Sequence, residues 1–415
     1  MARRTMTLLG PDVLLVAMGG TRPNNAVLVV ECAGCLDAGR LERAVDRLQP
    51  IAPFMASRLE RPFPWGRLRW TVAGGTERPP VTHRRLAKDE AVEDVIDGVL
   101  NEVVDPRHAP PLRWHCLEGH DGGTSWLVLA WVHPLMDPRG AELLIGMLDA
   151  VDRGGEGATW AAERPIVPPD DPRPWRARGA LARAALASLQ SLGRERPLSF
   201  ANDGSAGGRV HHRRRLVRSR VRQLPQTLAV VGRTVARAVE SRGLPSAPFI
   251  VPISVDRRRK GEPGPVFGNF LSFHFARFTP DQTSDPAATA AALRRDMAEA
   301  VRTNFVEGLW AGMNFIRYYP PRHLLRPLGG REPASFHCAD TGDVRPPLAA
   351  LLGVPVRSAY HAPCVHPHPG LGLFFTRVGD LESIVAVWVD GVMTPEEIDR
   401  LLDGVHAGID AAPAA

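Results

Sequence analysis

The sequence is short of cysteine, of lysine and of long apolar segments, and each shortage excludes a class of protein. Five cysteines in 415 residues, odd in number and mostly isolated, do not describe a disulfide framework, which favours a reducing compartment. The apolar run Trp126–Val132 is far shorter than the ~18 residues that span a bilayer, so we expect no transmembrane helix. The start of the chain is basic, but Pro11 and Asp12 divide the apolar stretch that follows, so it does not resemble a secretory signal. We predict a cytoplasmic protein.

Only two of the 51 Lys and Arg residues are lysines, Lys88 and Lys260. Neither is followed by Ser or Thr in a GxxxxGK[ST] arrangement and no GxSxG occurs, which excludes a P-loop and an α/β-hydrolase nucleophile elbow. Arginines cluster at 211–220 and 257–260 and contribute to a net charge of +6. No aromatic residues are interleaved with them, so we expect no nucleic-acid partner. A solvent-exposed strand face is the simpler interpretation, and contact with cofactor phosphates or an acidic partner stays open.

Hydrophobic periodicity predicts strands and helices mixed in both halves of the chain. In the first half we predict strands at 26–31, 66–72, 81–86, 110–119 and 124–133, and helices at 36–51, 89–104 and 140–151. In the second half we predict strands at 210–219, 249–256, 269–278, 371–377 and 384–389, and helices at 224–240, 286–304 and 394–409. The last helix opens with a capping box at Thr394.

A linker is predicted between the halves, because Gly, Pro and Asp concentrate at 152–175. The amphipathic helix that follows at 175–194 is expected to pack against the body of the protein rather than to lie on a membrane. With 44% hydrophobic residues the chain can bury a substantial core. We predict an N-terminal domain over 1–160, a linker with the amphipathic helix over 161–208, and a C-terminal domain over 209–415.

The strongest chemical signal is WVHPLMDPRG at 131–140, which places His133 and Asp137 four residues apart where a buried strand opens into a loop. An imidazole at that position is suited to act as a general base near neutral pH. The spacing alone is weak evidence, because His406 and Asp410 repeat it inside the last predicted helix, where we interpret it as structural.

Together with this motif, five further segments resemble the CoA-dependent acyltransferase superfamily, which includes chloramphenicol acetyltransferase, peptide-synthetase condensation domains and wax ester synthase enzymes. The resemblance covers most of the chain and includes the segments CLDAGRLERAVDRLQPIAPFMASRLE (35–60), PPLRW (110–114), VPISVDRR (251–258), FGNFLSFHF (267–275) and TRVGDLESIVAVWVDGVMTPEEIDRLL (376–402). The superfamily pattern is HHxxxDG. Here Val132 replaces the first His, and Pro138 replaces the Gly and removes an N–H.

The resemblance implies an α/β fold of two chloramphenicol acetyltransferase-like domains, each a mixed sheet with helices, and an active-site tunnel at their interface. It implies that His133 deprotonates a hydroxyl or amine that adds to a thioester carbonyl. Asp137 would hold the loop through an ion pair with Arg257 or, as second choice, Arg258, and Gly140 would have a structural role at the site.

The developing negative charge of the tetrahedral intermediate needs a stabilising group. The candidates for this role, or for positioning substrate, are Asn269, Ser272 and Thr341. The resemblance further implies an acyl-CoA or acyl carrier protein thioester as co-substrate and a small alcohol or amine as acceptor. We also expect a monomer.

No metal is expected. Cys32 and Cys35 form a CxxC without a second pair, which indicates a turn. The His- and Cys-rich segment 361–368 has no standard ligand spacing and is interpreted as a loop near the active-site entrance. Three functions stay open: the acyltransferase, a non-catalytic binding module of the condensation-domain kind, and another reaction on this scaffold, such as cyclisation or condensation of two carrier-bound substrates.

Overall fold

The computed structural model describes residues 4–19, 22–63, 66–72, 77–192, 197–200, 208–218, 223–244, 247–259, 262, 264–317, 334–366 and 368–411. The ends of both arginine clusters, at 219–220 and at Lys260, and much of the predicted linker after residue 192 lie outside the described residues. The described residues form fifteen strands and ten helices.

The strands are β1 (Arg4–Thr7), β2 (Asn25–Cys32), β3 (Arg58–Glu60), β4 (Arg69–Val72), β5 (Val81–Arg85), β6 (Leu112–Glu118), β7 (Ser125–Val132), β8 (Val210–Arg218), β9 (Phe249–Asp256), β10 (Leu271–Phe278), β11 (His337–Asp343), β12 (Ala350–Leu351), β13 (Val354–Pro363), β14 (Leu371–Val378) and β15 (Leu381–Val389). The helices are α1 (Gly10–Gly19), α2 (Ala38–Leu48), α3 (Val92–Leu100), α4 (Pro138–Arg153), α5 (Glu156–Ala162), α6 (Trp175–Leu192), α7 (Leu224–Ser241), α8 (Pro286–Arg302), α9 (Phe305–Ile316) and α10 (Pro395–Ala411).

The largest sheet has six strands in the order β12-β13-β2-β7-β6-β5. Its central strands β2 and β7 are continuously apolar over residues 26–30 and 126–132, because both faces are covered there. Helices α2 and α4 cover one face, and α3 packs on the other. The apolar stripe predicted for α2 is confirmed, since Leu41, Ala44, Val45 and Leu48 are all buried.

A second, four-stranded sheet has the order β11-β14-β15-β8, and two smaller sheets pair β1-β4-β3 and β9-β10. Helix α10 packs on β8 and β15 and begins with the predicted capping box. The Thr394 N–H donates to Glu397 Oε2 at 2.8 Å, and the Glu397 N–H donates to Thr394 Oγ1 at 3.3 Å.

The two halves of the chain share the six-stranded sheet. Strand β13 pairs antiparallel with β2, with Tyr360 opposite Val29, so a strand from beyond residue 350 completes a sheet that begins before residue 30. The domain boundaries at residues 160 and 209 stay predictions, and this pairing brings residues from both sides of them into one sheet.

Three sequence-based assignments needed correction. Pro11 and Asp12 do not break the first apolar segment but lie in the first turn of α1, where the missing N–H of proline is tolerated. The segment 152–175 contains the short helix α5, and part of the predicted loop at 361–368 belongs to β13. The amphipathic helix α6 packs against α9, as expected.

Candidate active site

The HxxxD segment links the central sheet to α4. Strand β7 ends at Val132, residues His133–Leu135 form a 3-10 turn, and α4 begins at Pro138. The backbone of His133 is held on both sides: its N–H donates to the Asn24 carbonyl at 2.7 Å, and its carbonyl accepts from Asn269 Nδ2 at 2.9 Å. The backbone that carries the imidazole is therefore held in place by Asn24 and Asn269.

The imidazole of His133 is only partly exposed. Burial lowers its pKa below the usual value, and His337 adds to the shift; its own backbone and the Asp137 carboxylate oppose it. The buried Nδ1 has no hydrogen-bond partner among the described residues. His133 is thus neutral at neutral pH, which is the state that a general base requires.

The Asp137 carboxylate is fully engaged by groups other than the imidazole. Oδ1 accepts from the Gly140 N–H at 2.7 Å and caps α4, and Oδ2 accepts from the Phe270 N–H at 2.8 Å. Arg258 binds both oxygens, Nη1 to Oδ2 at 2.9 Å and Nη2 to Oδ1 at 3.1 Å. The two side chains are 4% and 3% exposed, so this is a buried, bidentate ion pair.

The first choice of partner for Asp137, Arg257, is wrong, and the second choice, Arg258, makes the pair. Arg257 instead contacts the Glu307 carboxylate and lies over the Trp310 ring. The physical reason is the alternation of side-chain direction along an extended segment: a shift of one residue reverses the face. The sequence shows adjacent arginines without showing which one points at the loop.

Residues 266–270 pack directly against the HxxxD segment. The Gly268 N–H donates to the Leu135 carbonyl at 2.8 Å, and Gly268 has a positive φ of 83°. A Cβ added to Gly140 would lie 2.2 Å from the Val266 carbonyl oxygen, so only glycine allows this approach. Gly140 therefore allows α4 to approach residue 266 closely, and its role at the site stays a prediction.

Pro138 occupies the first turn of α4, where its fixed φ is compatible with the helix. At this position it offers no N–H to a group bound at the start of the helix.

The three candidates for oxyanion stabilisation have their donor groups engaged within the protein. Asn269 Nδ2 donates to Asp12 Oδ1 and to the His133 carbonyl, Ser272 Oγ donates to the Val306 carbonyl at 2.8 Å, and Thr341 Oγ1 donates to the Phe375 carbonyl at 3.1 Å. Of the three, Asn269 touches the HxxxD segment. Their predicted role toward an oxyanion stays a prediction.

Sequence reasoning missed Asp12, which the structure places in contact with this site. Its carboxylate accepts from the Asn269 N–H at 2.7 Å and from Asn269 Nδ2 at 2.8 Å. The available signal was a carboxylate inside the apolar segment LLGPDVLLVAM. Asp12 was interpreted only as an interruption of that segment, whereas it is a buried, hydrogen-bonded group in α1.

The basic strand β8 is largely neutralised by carboxylates. Arg214 pairs with Glu31 at 2.9 Å, and Arg215 pairs with Asp399 at 2.9 Å and with Asp403 at 3.0 Å. The second HxxxD spacing lies on α10, where His406 Nε2 is 3.1 Å from Asp410 Oδ2 in an exposed pair. The structural interpretation of that pair agrees with this geometry.

Other candidate ligands are dispersed. Cys32, Cys35, Cys116, Cys338 and Cys364 are free thiols. His361 binds Glu142 at 3.0 Å, and the Cys364 thiol donates to the Pro23 carbonyl at 3.2 Å. Within the ranges that the structure describes, no three His, Cys, Asp or Glu side chains are grouped to hold a metal ion, and no helix is both long and apolar enough to cross a membrane.

Comparison with known proteins identifies the fold. No family model and no curated protein sequence matches the chain. Among solved structures, it is similar to the starter condensation domain of rhizomide synthetase in complex with C8-CoA and Leu-SNAC, with a TM-score of 0.65, 13% identity and coverage of 99% of this chain and 97% of the other. It is also similar to the epimerization domain from the third module of tyrocidine synthetase B (TM-score 0.63, 12% identity, 99% and 97% covered). A third similar structure is the condensation domain from Monacolin K polyketide synthase (TM-score 0.62, 13% identity, 99% and 97% covered).

These similarities confirm the predicted fold class. The chain has the condensation-domain fold, a mixed α/β architecture with two chloramphenicol acetyltransferase-like subdomains. At 12–14% identity they show the fold, and they leave the chemistry to be argued from the residues of this chain.

Proposed function

We propose that this protein is an acyltransferase that moves an acyl group from a CoA or carrier-protein thioester to the hydroxyl or amine of a small acceptor. The observation that carries the proposal is the division of roles in the HxxxD segment. His133 is partly exposed, neutral and fixed through its backbone, whereas Asp137 is buried against Arg258. One side chain is free for chemistry and the other supports the loop.

In the proposed reaction His133 accepts the proton of the acceptor through the imidazole nitrogen that is not enclosed, Nε2. The deprotonated oxygen or nitrogen adds to the thioester carbonyl and gives a tetrahedral intermediate. The intermediate collapses with cleavage of the carbon–sulfur bond, and the departing thiolate takes the proton from the imidazolium. Acyl group, proton and charge balance without a covalent enzyme intermediate or a metal.

The similar solved structures support the choice of donor. The rhizomide synthetase domain is described in complex with C8-CoA, an acyl thioester of medium chain length. We take octanoyl-CoA as the first donor to test for this chain, together with shorter and longer acyl-CoA thioesters. A tunnel at the interface of the two halves, through which donor and acceptor would reach His133, stays part of the proposal.

A second candidate is a condensation-domain-like protein that joins carrier-bound substrates or binds them without catalysis. Pro138 is the observation that favours it, because a helix N-terminus with proline in its first turn offers one N–H fewer to a reacting thioester carbonyl. The two candidates differ in the acceptor. The acyltransferase acylates a free alcohol or amine, whereas the second candidate joins two carrier-bound substrates or forms no product.

The experiment is mass spectrometry of the purified protein with a mixed acyl-CoA set and a small library of alcohols and amines. We expect a new ester or amide whose mass equals acceptor plus acyl group, formed together with free CoA. Product only when carrier proteins present both the donor and the acceptor would favour the second candidate. Binding of acyl-CoA without any product, with free or carrier-bound donors, would contradict the acyltransferase.

A further inference from the structure

Asp12 is a fully buried carboxylate on α1 that accepts three hydrogen bonds. Oδ2 accepts from the Leu9 N–H at 2.6 Å, and Oδ1 accepts from both the backbone N–H and the side-chain Nδ2 of Asn269, at 2.7 and 2.8 Å. The Asp12 residue is 0% exposed, as is Asn269. The segment that carries Asp12 therefore holds Asn269 by two bonds to one oxygen.

The position is energetically unfavourable for a carboxylate. Among the residues that the structure describes, no cationic side chain pairs with Asp12, and burial raises its pKa to about 7. The Asn269 and Leu9 hydrogen bonds oppose the shift, and the neighbouring Asp137 carboxylate adds to it. A buried carboxylate without a cation lowers the stability of the fold, which points to a functional role for the groups that it contacts.

Asn269 connects Asp12 to the HxxxD segment through hydrogen bonds. The same Nδ2 that donates to Asp12 also donates to the His133 carbonyl at 2.9 Å. The Asn269 Oδ1 is buried and has no partner in the described part of the chain, so the amide is held in place by its donor side alone. If the bond to Asp12 is lost, the amide keeps its bond to the His133 carbonyl, and in the described part of the chain no other side-chain contact fixes its orientation.

We infer that Asp12 is a positioning residue for His133: through Asn269 it fixes the backbone carbonyl of His133 and with it the direction of the imidazole. This inference rests on the proposed function, in which His133 is the base. An error of about 1 Å in the position of a reacting group can cost on the order of 10²-fold in rate. The contribution of Asp12 would thus appear in turnover while the donor still binds.

The competing explanation is that Asp12 only caps the start of α1 through its bond to Leu9. The variant Asp12→Asn removes one of the two acceptor oxygens, because an amide must turn its NH₂ toward either Leu9 or Asn269. Asn269→Ala separates the two roles, since it removes the side-chain bond between Asp12 and Asn269 and leaves the bond to Leu9 in place. Asp97→Asn is the matched control: Asp97 is also a buried carboxylate, but it binds His211 and His212 and does not contact the HxxxD segment.

The experiment records the histidine imidazole signals by NMR, with the His133 signal assigned by its absence in His133→Ala. We expect Asp12→Asn and Asn269→Ala to shift the His133 signal and Asp97→Asn to leave it in place. The double variant that combines Asp12→Asn with Asn269→Ala should show the same shift as Asn269→Ala alone. With octanoyl-CoA as donor, Asp12→Asn should lower kcat by about 10- to 100-fold and change KM less than twofold. If Asp12→Asn does not fold, Asp12→Ser, smaller and neutral, takes its place.

An unchanged His133 signal in the folded Asp12 variant would overturn the inference. So would a shift of the His133 signal in the double variant that equals the sum of the shifts in Asp12→Asn and Asn269→Ala. The NMR measurement does not depend on turnover. A protein that transfers no acyl group but shows the coupled His133 signals would refute the proposed function and leave the positioning contact established.

Discussion

Loss of the buried ion pair between Arg258 and Asp137 should unfold the protein at lower denaturant concentration. In Arg258→Ala the Asp137 carboxylate keeps two backbone N–H donors, from Gly140 and Phe270, but loses the one cation that pairs with it among the described residues. Removing one partner of a buried pair costs about 3–5 kcal/mol, because the other charge is left uncompensated. We expect the free energy of unfolding of Arg258→Ala to fall by that amount.

Asp137→Ala should cost a similar amount for a different reason. Arg258 would keep Asp256 at 3.0 Å and the Pro265 carbonyl, so its charge remains partly compensated. The buried N–H groups of Gly140 and Phe270, however, would lose their acceptor, at about 1–3 kcal/mol each. These losses belong to one network and do not add, so we again expect about 3–5 kcal/mol.

Urea unfolding followed by circular dichroism measures these free energies, and Arg257→Ala is the matched control. Its partner Glu307 is 36% exposed and also binds Arg173, and pairs of this kind contribute about 0–1 kcal/mol. The reasoning is refuted if Arg258→Ala lies within about 1 kcal/mol of the parent protein, or if Arg257→Ala loses as much as Arg258→Ala.

Three further predictions follow from single contacts. Gly140→Ala should lower stability by about 1–3 kcal/mol in urea unfolding, since its methyl group would meet the Val266 carbonyl; unchanged stability would mean that the two segments can separate freely. Because Asp12 is protonated more readily in the folded than in the unfolded chain, the stability that its protonated form contributes should be lost as pH rises from about 4 to 7. Between pH 5 and 8 the free energy of unfolding of the parent protein should fall by about 2–3 kcal/mol relative to that of Asp12→Asn, and parallel pH profiles would contradict this. Replacing Arg213 and Arg215 with Gln should leave the calorimetric affinity for acyl-CoA unchanged at physiological salt, and a weakened affinity that varies with ionic strength would show contact with the CoA phosphates.

The elements that sequence alone predicted are those whose signals are local. Helix α2 has eleven residues that carry its apolar stripe, and its Asp37 cap directly precedes them; β7 is an almost continuous apolar run between polar turns. The HxxxD spacing and the capping box at Thr394 are also local patterns. Each of these patterns depends only on residues that are close in sequence, so it can be identified without the rest of the chain.

The features that sequence missed depend on contacts between distant segments. The pairing of β13 with β2 joins residues more than 300 positions apart, and no local pattern specifies it. The partner of Asp137 was misassigned because Arg257 and Arg258 are chemically equal and only the backbone direction distinguishes them. Asp12 was interpreted only as an interruption of the first apolar segment, because its acceptor role becomes visible only when Asn269, 257 positions away, packs against it.

The measurement that tests the central claim most directly is turnover and melting temperature of His133→Ala, with thiol release from the acyl-CoA and acceptor pair that reacts fastest. General-base catalysis contributes about 10²–10⁴ in rate, so turnover should fall by that factor while the melting temperature and donor binding stay close to those of the parent protein. His406→Ala, which removes the histidine of the exposed second HxxxD spacing, should keep full turnover. Near-parental turnover in His133→Ala would contradict the account, because His133 would then only support the end of β7.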